Sequence, residues 1–199
     1  MIRLVADSSC DVYTLPGVDF RAVPLHISTD DGRAFIDDPE LNVGEMVDCL
    51  HSHKGRSYTA CPSVAAWLEA FEGADTVYVV TITSGLSGSY NSAKVAADLY
   101  QQASPEASVH VFDSLSTGPE ELLLLEKLRE LVNAGLEFEE VIRQAEDYMR
   151  HTRLFFSLHS LHNLAQNGRI GKVTAAAVSV MNIRVIGTAS PEGTLATIG

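Results

Sequence analysis

Basic residues are scarce in this chain of 199 residues: 14 Lys and Arg stand against 26 Asp and Glu, for a formal net charge of -12. Such acidity argues against binding of nucleic acid and against adsorption to anionic lipid. No apolar run approaches the roughly 18 residues needed to span a bilayer, and the N-terminus shows no signal-peptide pattern. We therefore expect a soluble, cytoplasmic protein with no stable membrane insertion.

Cysteines are few and scattered, at Cys10, Cys49 and Cys61, without CxxC spacing. This pattern favours reduced thiols over a disulfide or zinc framework, and it predicts no metal site. Cys61 follows a polar stretch, where it could be a catalytic thiol. It has no neighbouring histidine or basic residue in the sequence to lower its pKa, so a nucleophilic role is disfavoured.

The common nucleotide motifs are missing. The chain contains neither the GxGxxG spacing of dinucleotide-binding turns nor the phosphate-binding GxxxxGK[ST]. Residues 85–89 read GLSGS, which resembles the GxSxG turn of serine hydrolases but lacks its last glycine. A nucleotide cofactor is therefore not predicted, and a nucleophilic Ser87 starts from a broken motif.

The sequence does contain a buried-strand pattern, Thr76–Val80, that runs directly into a Ser/Gly-rich turn. The turn reads TITSGLSGSYNSA over residues 81–93 and leads into a helix that we expect to begin near Tyr90. Its helix-capping candidates are Ser84, Ser87, Ser89 and Asn91, while Gly85 and Gly88 permit close backbone approach. Such a turn can bind an anion, or it can be a structural cap and nothing more.

Strand, polar turn and helix follow one another repeatedly. Further strands are predicted at Arg3–Ala6, Phe20–Ile27 and Ser108–Phe112, and helices after Asn42, Ser63 and Gly118 and over residues 138–153. Such alternation predicts an α/β fold, with a Rossmann-like parallel sheet and helices on both faces over residues 1–152. Residues 153–199 are predicted to begin a second α/β domain, which ends within a half-made hairpin and is expected to be incomplete.

Two charged residues stand at predicted turns. Asp7 follows the first strand, where it could be a turn cap, a catalytic carboxylate or a metal ligand; the absence of a second carboxylate in register favours the cap. Arg169 follows an Asn-Gly turn, where it could contact a carboxylate or phosphate, or interact with a helix C-terminus.

Five segments carry a family resemblance in their order and composition: ADSSCD at 6–11, TACPS at 59–63, TSGLSGSYNSA at 83–93, FDSLSTG at 112–118 and NGRIGK at 167–172. They resemble the DegV family of bacterial fatty-acid-binding proteins across the whole chain. The resemblance implies a two-domain α/β protein that encloses one long-chain fatty acid and has no other cofactor. It also implies that the protein presents this ligand to a fatty acid kinase.

The resemblance further implies that Thr59 and Ser87 hold the fatty-acid carboxylate, with Gly88 adding a backbone N–H. Ser84 and Ser89 are included as ligand-binding candidates from the same turn. Arg169 matches an arginine associated with the head group and the kinase encounter. The chain departs from the family pattern at Ala60 and Cys61 in the TACPS segment, at Asn167 in place of a glycine, and at residues 182–185. The last third of a typical member, which completes the tunnel, has no counterpart.

Two other functions remained open. Ser87 could be the nucleophile of a serine hydrolase, with His159 or His162 as its base. Alternatively, the acidic surface could dock a regulatory partner, with the ligand incidental. Binding without turnover is the leading hypothesis, because hydroxyls and backbone amides can hold a carboxylate without any nucleophile–base pair.

Overall fold

The computed structural model describes residues 1–158, 160–169 and 185–198. Its strands are β1 (Ile2–Asp7), β2 (Asp19–Val23), β3 (His26–Thr29), β4 (Ala34–Ile36), β5 (Ser57–Ala60), β6 (Thr76–Thr81), β7 (Ser108–Asp113), β8 (Phe155–Leu158), β9 (Val185–Ala189) and β10 (Leu195–Thr197). Its helices are α1 (Val43–Ser52), α2 (Val64–Phe71), α3 (Ser89–Ala103), α4 (Pro119–Asn133), α5 (Phe138–Met149) and α6 (His162–Gln166).

A four-stranded parallel sheet in the order β2-β1-β6-β7 forms the centre of the molecule. The chain leaves β1 toward β2 on one side and leaves β6 toward β7 on the other. The sheet order therefore reverses between β1 and β6. Open α/β sheets bind ligands beyond the carboxyl ends of the two strands at such a switch point.

Alternate residues of these strands pack against helices on opposite faces. Leu4, Tyr78 and Phe112 lie in one apolar cluster with leucines of α4 and residues of α5. Val5, Val79 and Val111 lie in a second cluster with α2 and α3, where Trp67 is fully buried. Because a strand's side chains alternate between faces, a sheet covered on both sides needs the nearly continuous apolar strands seen here. The predicted α/β class is confirmed.

Local signals set the helix starts correctly in three places. Asn42 accepts the Glu45 N–H and so caps α1, and Ser63 accepts the Ala66 N–H and caps α2. Pro119 is the first residue of α4, where its missing N–H leaves no helical bond unmade.

The predicted strand Phe20–Ile27 is wrong as a single element. The structure divides it at Pro24 and Leu25 into β2, in the parallel sheet, and β3, which pairs antiparallel with β4 and β5 in a small three-stranded sheet. Proline cannot donate a ladder hydrogen bond, and here it marks the change of sheet. The hydroxyl-rich TACPS segment at 59–63 is typical of a loop, but Thr59 lies on β5 opposite Ile27.

A third sheet, in the order β10-β9-β8, contains the predicted C-terminal hairpin. The apolar sequence after Lys172, VTAAAVSVM, predicts a helix that lies outside the described residues. The division into two domains at residue 152 stays a prediction. Among the helices that the structure describes, none is long and apolar enough to cross a membrane.

Candidate functional site

The Ser/Gly-rich turn leaves β6 at the switch point of the parallel sheet. Its backbone is fixed from several sides: Thr83 N–H donates to the Ser116 carbonyl at 2.8 Å, and the N–H groups of Leu86 and Ser87 both donate to the Thr83 carbonyl. The helix α3 then begins at Ser89, one residue before the predicted start, with Gly88 as its N-cap and no side-chain cap bond. The turn is therefore rigid without using its serines as N-caps.

The three candidate serines of the turn have different surroundings. Ser87 is half-buried, and its Oγ accepts the Ser89 N–H at 3.2 Å, which leaves its own proton free to be donated. Ser84 is exposed, and its N–H donates to Asp113 at 3.0 Å. Ser89 is fully buried, and its hydroxyl donates to Asp7. Ser87 is thus the serine of this turn best placed to donate to a ligand.

Thr59 reaches the same region from a different sheet. It is exposed near the end of β5. The chain that follows β5 lies against the start of α3: a Cβ placed on Gly88 would be 3.4 Å from Cys61 Sγ, and Ser92 Oγ donates to the Pro62 carbonyl at 2.8 Å. The strand of Thr59 is therefore held beside the turn of Ser87.

Arg169 and its neighbours link the two segments. Arg169 Nε donates to the Leu86 carbonyl at 3.2 Å, next to Ser87. Asn167 Nδ2 donates to the Ser57 carbonyl at 3.2 Å, on the strand that carries Thr59. The side chain of Arg169 is exposed beside the Ser87 turn. Asn167 replaces a glycine of the family pattern, and its amide supplies a contact that glycine lacks.

Asp7 is fully buried and bonds well beyond its own turn. Its Oδ2 accepts the Ile82 N–H at 3.1 Å and the Ser89 hydroxyl, and its Oδ1 accepts the Ser9 hydroxyl at 2.5 Å. Burial raises the pKa of this carboxyl, against the lowering effect of these hydrogen bonds. Instead of capping only its own turn, Asp7 links the end of β1 to both ends of the Ser87 turn.

Glu121, at the start of α4, is a residue of this region that the sequence reasoning missed. It is fully buried, and its Oε1 lies 2.7 Å from Ser9 Oγ and accepts the Gly118 N–H at 3.2 Å. Burial is the main reason that the pKa of Glu121 is raised well above its usual value, and the nearby Asp7 carboxyl group raises it further. Acidic residues are common in the first turn of a helix, so the sequence held no signal that this one is buried.

The serine hydrolase hypothesis needs a histidine beside Ser87. His159 lies outside the described residues, and His162 begins α6 with a side chain that is also outside them. Within the described part of the chain, no cluster of three or more His, Cys, Asp or Glu side chains could hold a metal ion.

Fold and site together define a three-layer α/β protein with serine hydroxyls beyond the strand ends at the switch point of its parallel sheet. The model of the DegV family, described as an uncharacterised protein family, matches residues 1–199. A DegV domain-containing protein of Streptococcus pneumoniae is 43% identical over 197 residues, which are 97% of this chain and 70% of that protein. The chain belongs to the DegV family.

Two solved structures resemble the fold over the full chain. A DegV family protein from Eubacterium eligens loaded with heptadecanoic acid is 55% identical, with a TM-score of 0.96, and this chain covers 72% of it. The fatty acid kinase (Fak) B3 protein of Streptococcus pneumoniae loaded with linoleic acid is 42% identical, with a TM-score of 0.96 and the same 72% coverage. These similarities give the hydrolase hypothesis no support.

Proposed function

We propose that this protein binds one long-chain fatty acid, whose carboxylate accepts hydrogen bonds from the hydroxyls of Thr59 and Ser87 and from the Gly88 N–H. The observation that carries this proposal is the convergence of β5 and the Ser87 turn, linked by the 167–169 segment. Hydrogen bonds to an ionised acceptor are about twice as strong as neutral ones. One donor from β5 and two from the start of α3 therefore suit a carboxylate.

The acyl chain supplies most of the affinity in this proposal. Removing a methylene from water contributes about 0.8 kcal/mol, so a long saturated tail gains several kcal/mol even after its ordering is subtracted. The tail is assigned to an apolar tunnel in the second domain, which residues 153–199 are predicted to begin. Homologous structures that carry heptadecanoic and linoleic acid support a ligand of this length.

We further infer that the protein is a carrier that presents the fatty acid to a kinase and performs no reaction itself. The resemblance to a fatty acid kinase B3 protein supports this role. Ser84 lies on the solvent side of the turn and is assigned to the rim, and Ser89 is assigned to support the turn through Asp7. Arg169, which is exposed beside Ser87, is assigned to the kinase encounter. Three free thiols are compatible with the cytoplasm as the place of action.

The experiment compares Thr59→Ala and Ser87→Ala with wild-type protein after expression in bacteria. Each variant loses one charge-assisted hydrogen bond, worth about 1.5–3 kcal/mol, so we expect at least a tenfold loss of fatty-acid affinity. The measurement is denaturing extraction with mass spectrometry for content, followed by titration of delipidated protein. Thr76→Val and Ser108→Ala are matched controls, because both residues begin strands at the opposite edge of the parallel sheet.

Wild-type protein without fatty acid, or unchanged affinity in both site variants, would overturn the carboxylate assignment. Ester turnover that depends on Ser87 would replace it with the hydrolase hypothesis. Addition of ATP and a bacterial fatty acid kinase to loaded protein tests presentation through the acyl phosphate formed. Arg169→Ala should lower that rate at equal loading, and an equal rate would remove Arg169 from the encounter.

A further inference from the structure

A chain of hydrogen bonds through the buried side chains of Glu121, Asp7 and Ser89 and the half-buried Ser9 connects α4 with the proposed carboxylate site. Glu121 Oε1 lies 2.7 Å from Ser9 Oγ, which lies 2.5 Å from Asp7 Oδ1. Asp7 Oδ2 in turn accepts from Ile82 N–H and from the Ser89 hydroxyl. The Ser89 N–H then donates to Ser87 Oγ. The network therefore ends at the hydroxyl that is proposed to hold the ligand.

The number of protons in this network is fixed by its hydrogen bonds. A serine hydroxyl has one proton, so Ser9 can donate to only one of the two carboxyl groups. Ser9 Oγ is within hydrogen-bond distance of both. Both contacts are full hydrogen bonds only if one of the two carboxyl groups is protonated and donates to Ser9.

The neighbours decide which carboxyl group carries the proton. All three partners of Asp7 are donors: Ser9, Ile82 and Ser89. Hydrogen bonds of this kind favour the ionised form. Glu121 accepts only the Gly118 N–H besides its contact with Ser9, and its Oε2 is buried with no partner among the described residues.

The charged groups around Glu121 also favour placing the proton on Glu121. The titratable groups that act on Glu121 are Asp7 and Asp11, both acidic, and the thiol of Cys10 lies on the same turn. Burial raises the pKa of Cys10 to about 12, so that thiol stays neutral. No described cation contributes to the shift of Glu121, and a second negative charge beside Asp7 would be uncompensated.

We propose that Asp7 is a positioning residue for Ser87, and that Glu121 is a protonated carboxylic acid that donates to Ser9 and keeps Asp7 ionised as an acceptor. Asp7 fixes both flanks of the Ser87 turn, so that the proton of Ser87 stays directed at the ligand. A capping contact explains the bond from Gly118 to Glu121, but it explains neither the contact with Ser9 nor the buried Oε2. This inference rests on the proposed fatty-acid site, which it deepens.

The first experiment looks for the acid itself in delipidated protein, so that no ligand carboxyl contributes. Infrared spectroscopy at neutral pH should show the carbonyl stretch of a protonated carboxylic acid, where exposed Asp and Glu give only carboxylate bands. The band should be missing in Glu121→Gln. A wild-type spectrum without the band, or a band that persists in Glu121→Gln, would overturn the assignment of the proton to Glu121. This result does not depend on whether the protein binds fatty acids.

The second experiment measures fatty-acid affinity in two variants of Asp7. Asp7→Ala removes the acceptor of Ile82 and Ser89, and it should weaken binding about tenfold or more. Asp7→Asn keeps an oxygen for those donors and can donate to Ser9 through its amide, so its affinity should stay within about threefold of wild type. Ser9 would then donate to an ionised Glu121, and the acid band should disappear in Asp7→Asn as well.

The fatty-acid affinities of these variants, taken together, distinguish a positioning role of Asp7 from a general loss of structure. Ser89→Ala serves as a milder variant if Asp7→Ala does not fold; it removes only one of the bonds to Asp7 and should weaken binding several-fold. Asp75→Ala, at the opposite edge of the sheet, should bind as wild type does. Equal affinity of wild type, Asp7→Ala and Ser89→Ala would overturn the positioning role. Wild-type protein that binds no fatty acid would overturn the proposed function, while the infrared result would still decide the protonation of Glu121.

Discussion

At the scale of single residues, the two buried carboxyl groups make folding depend on pH. The pKa values of Asp7 and Glu121 are raised in the folded protein, mainly by burial. In the unfolded chain a glutamate releases its proton near its ordinary pKa of 4.5. Above that pH the unfolded state binds fewer protons than the folded state, so the free energy of unfolding falls as pH rises toward the folded pKa.

Replacing Glu121 with Gln should remove its part of this pH dependence. Each proton held only by the folded state changes the free energy of unfolding by about 1.4 kcal/mol per pH unit. Between about pH 5 and pH 7 we therefore expect the free energy of unfolding of Glu121→Gln to rise relative to that of wild type, by up to about 1.4 kcal/mol per pH unit. Urea unfolding at several pH values measures the difference.

The sign of this effect separates it from the surface carboxylates. Arg143 and Gln144 lower the pKa of Glu140 to about 2, and hydrogen bonds also lower the pKa values of Asp30 and Asp31. Their contributions are lost as pH falls, below the window of Glu121. Glu106→Gln, in the exposed turn between α3 and β7, is the control for the loss of a surface carboxyl group. A Glu121→Gln curve that runs parallel to wild type would mean that Glu121 is ionised in the folded protein.

At the scale of elements, the molecule depends on a close approach between the β9–β10 hairpin and the turn after β6. Thr83 Oγ1 donates to the Gly193 carbonyl at 2.8 Å. A Cβ on Gly85 would lie 2.7 Å from that same carbonyl oxygen, and a Cβ on Gly193 would overlap Thr83 Oγ1. Glycine at both positions lets the third sheet dock at the carboxyl edge of the parallel sheet.

The change Gly193→Ala should therefore destabilise the protein by about 2–5 kcal/mol. Roughly 1–2 kcal/mol comes from the left-handed backbone conformation at φ +72, and about 1–3 kcal/mol comes from overpacking against Thr83 and Leu115. Urea unfolding gives the free energy, and the fatty-acid affinity of the same variant shows whether the Ser87 turn moves with the hairpin.

The matched control is Gly73→Ala. Gly73 also has a left-handed backbone, at φ +82, but a Cβ there would meet no atom within 4 Å. Its loss of stability should be about 1–2 kcal/mol, the cost of the backbone conformation alone. If Gly73→Ala and Gly193→Ala lose the same free energy, the hairpin does not depend on the close approach.

The element scale also shows how far sequence patterns reach. The buried strands and capped helices of the parallel sheet were predicted because their signals are local: apolar runs, Asn42, Ser63 and Pro119. The small sheet was missed because β5 is short and largely exposed, and its partner β3 lies some 30 residues earlier in the chain. No periodic pattern marks such a strand.

Contacts between residues far apart in sequence also limit what can be predicted of the candidate site. The pattern brought Ser84, Ser87 and Ser89 forward as equals, since all three have the same chemistry in one turn. The three serines differ because of Asp7, which is 82 residues from Ser89 in sequence and accepts a hydrogen bond from the Ser89 hydroxyl. Glu121 was missed for the same reason, because its partner Ser9 is 112 residues away.

At the scale of the whole molecule, a ligand that binds only the folded state stabilises it by mass action. At a free ligand concentration of about 100 times the Kd, the gain is about 2.7 kcal/mol. For a chain of this size, each kcal/mol shifts the melting temperature by about 2–4 °C. A fatty acid whose binding joins β5, the Ser87 turn and the 167–169 segment should therefore raise the melting temperature of the entire protein.

We expect delipidated protein to melt about 5–10 °C below protein saturated with fatty acid. The double variant Thr59→Ala, Ser87→Ala should melt near delipidated wild type and gain little from the same fatty acid, because its carboxylate site has lost both hydroxyls. Differential scanning calorimetry with and without ligand measures both shifts. The double control Thr76→Val, Ser108→Ala should keep the full gain, since those residues lie at the far edge of the sheet. If fatty acid raises the melting temperature of the Thr59→Ala, Ser87→Ala variant as much as that of wild type, the acyl chain alone stabilises the folded protein. The two hydroxyls would then not anchor the head group.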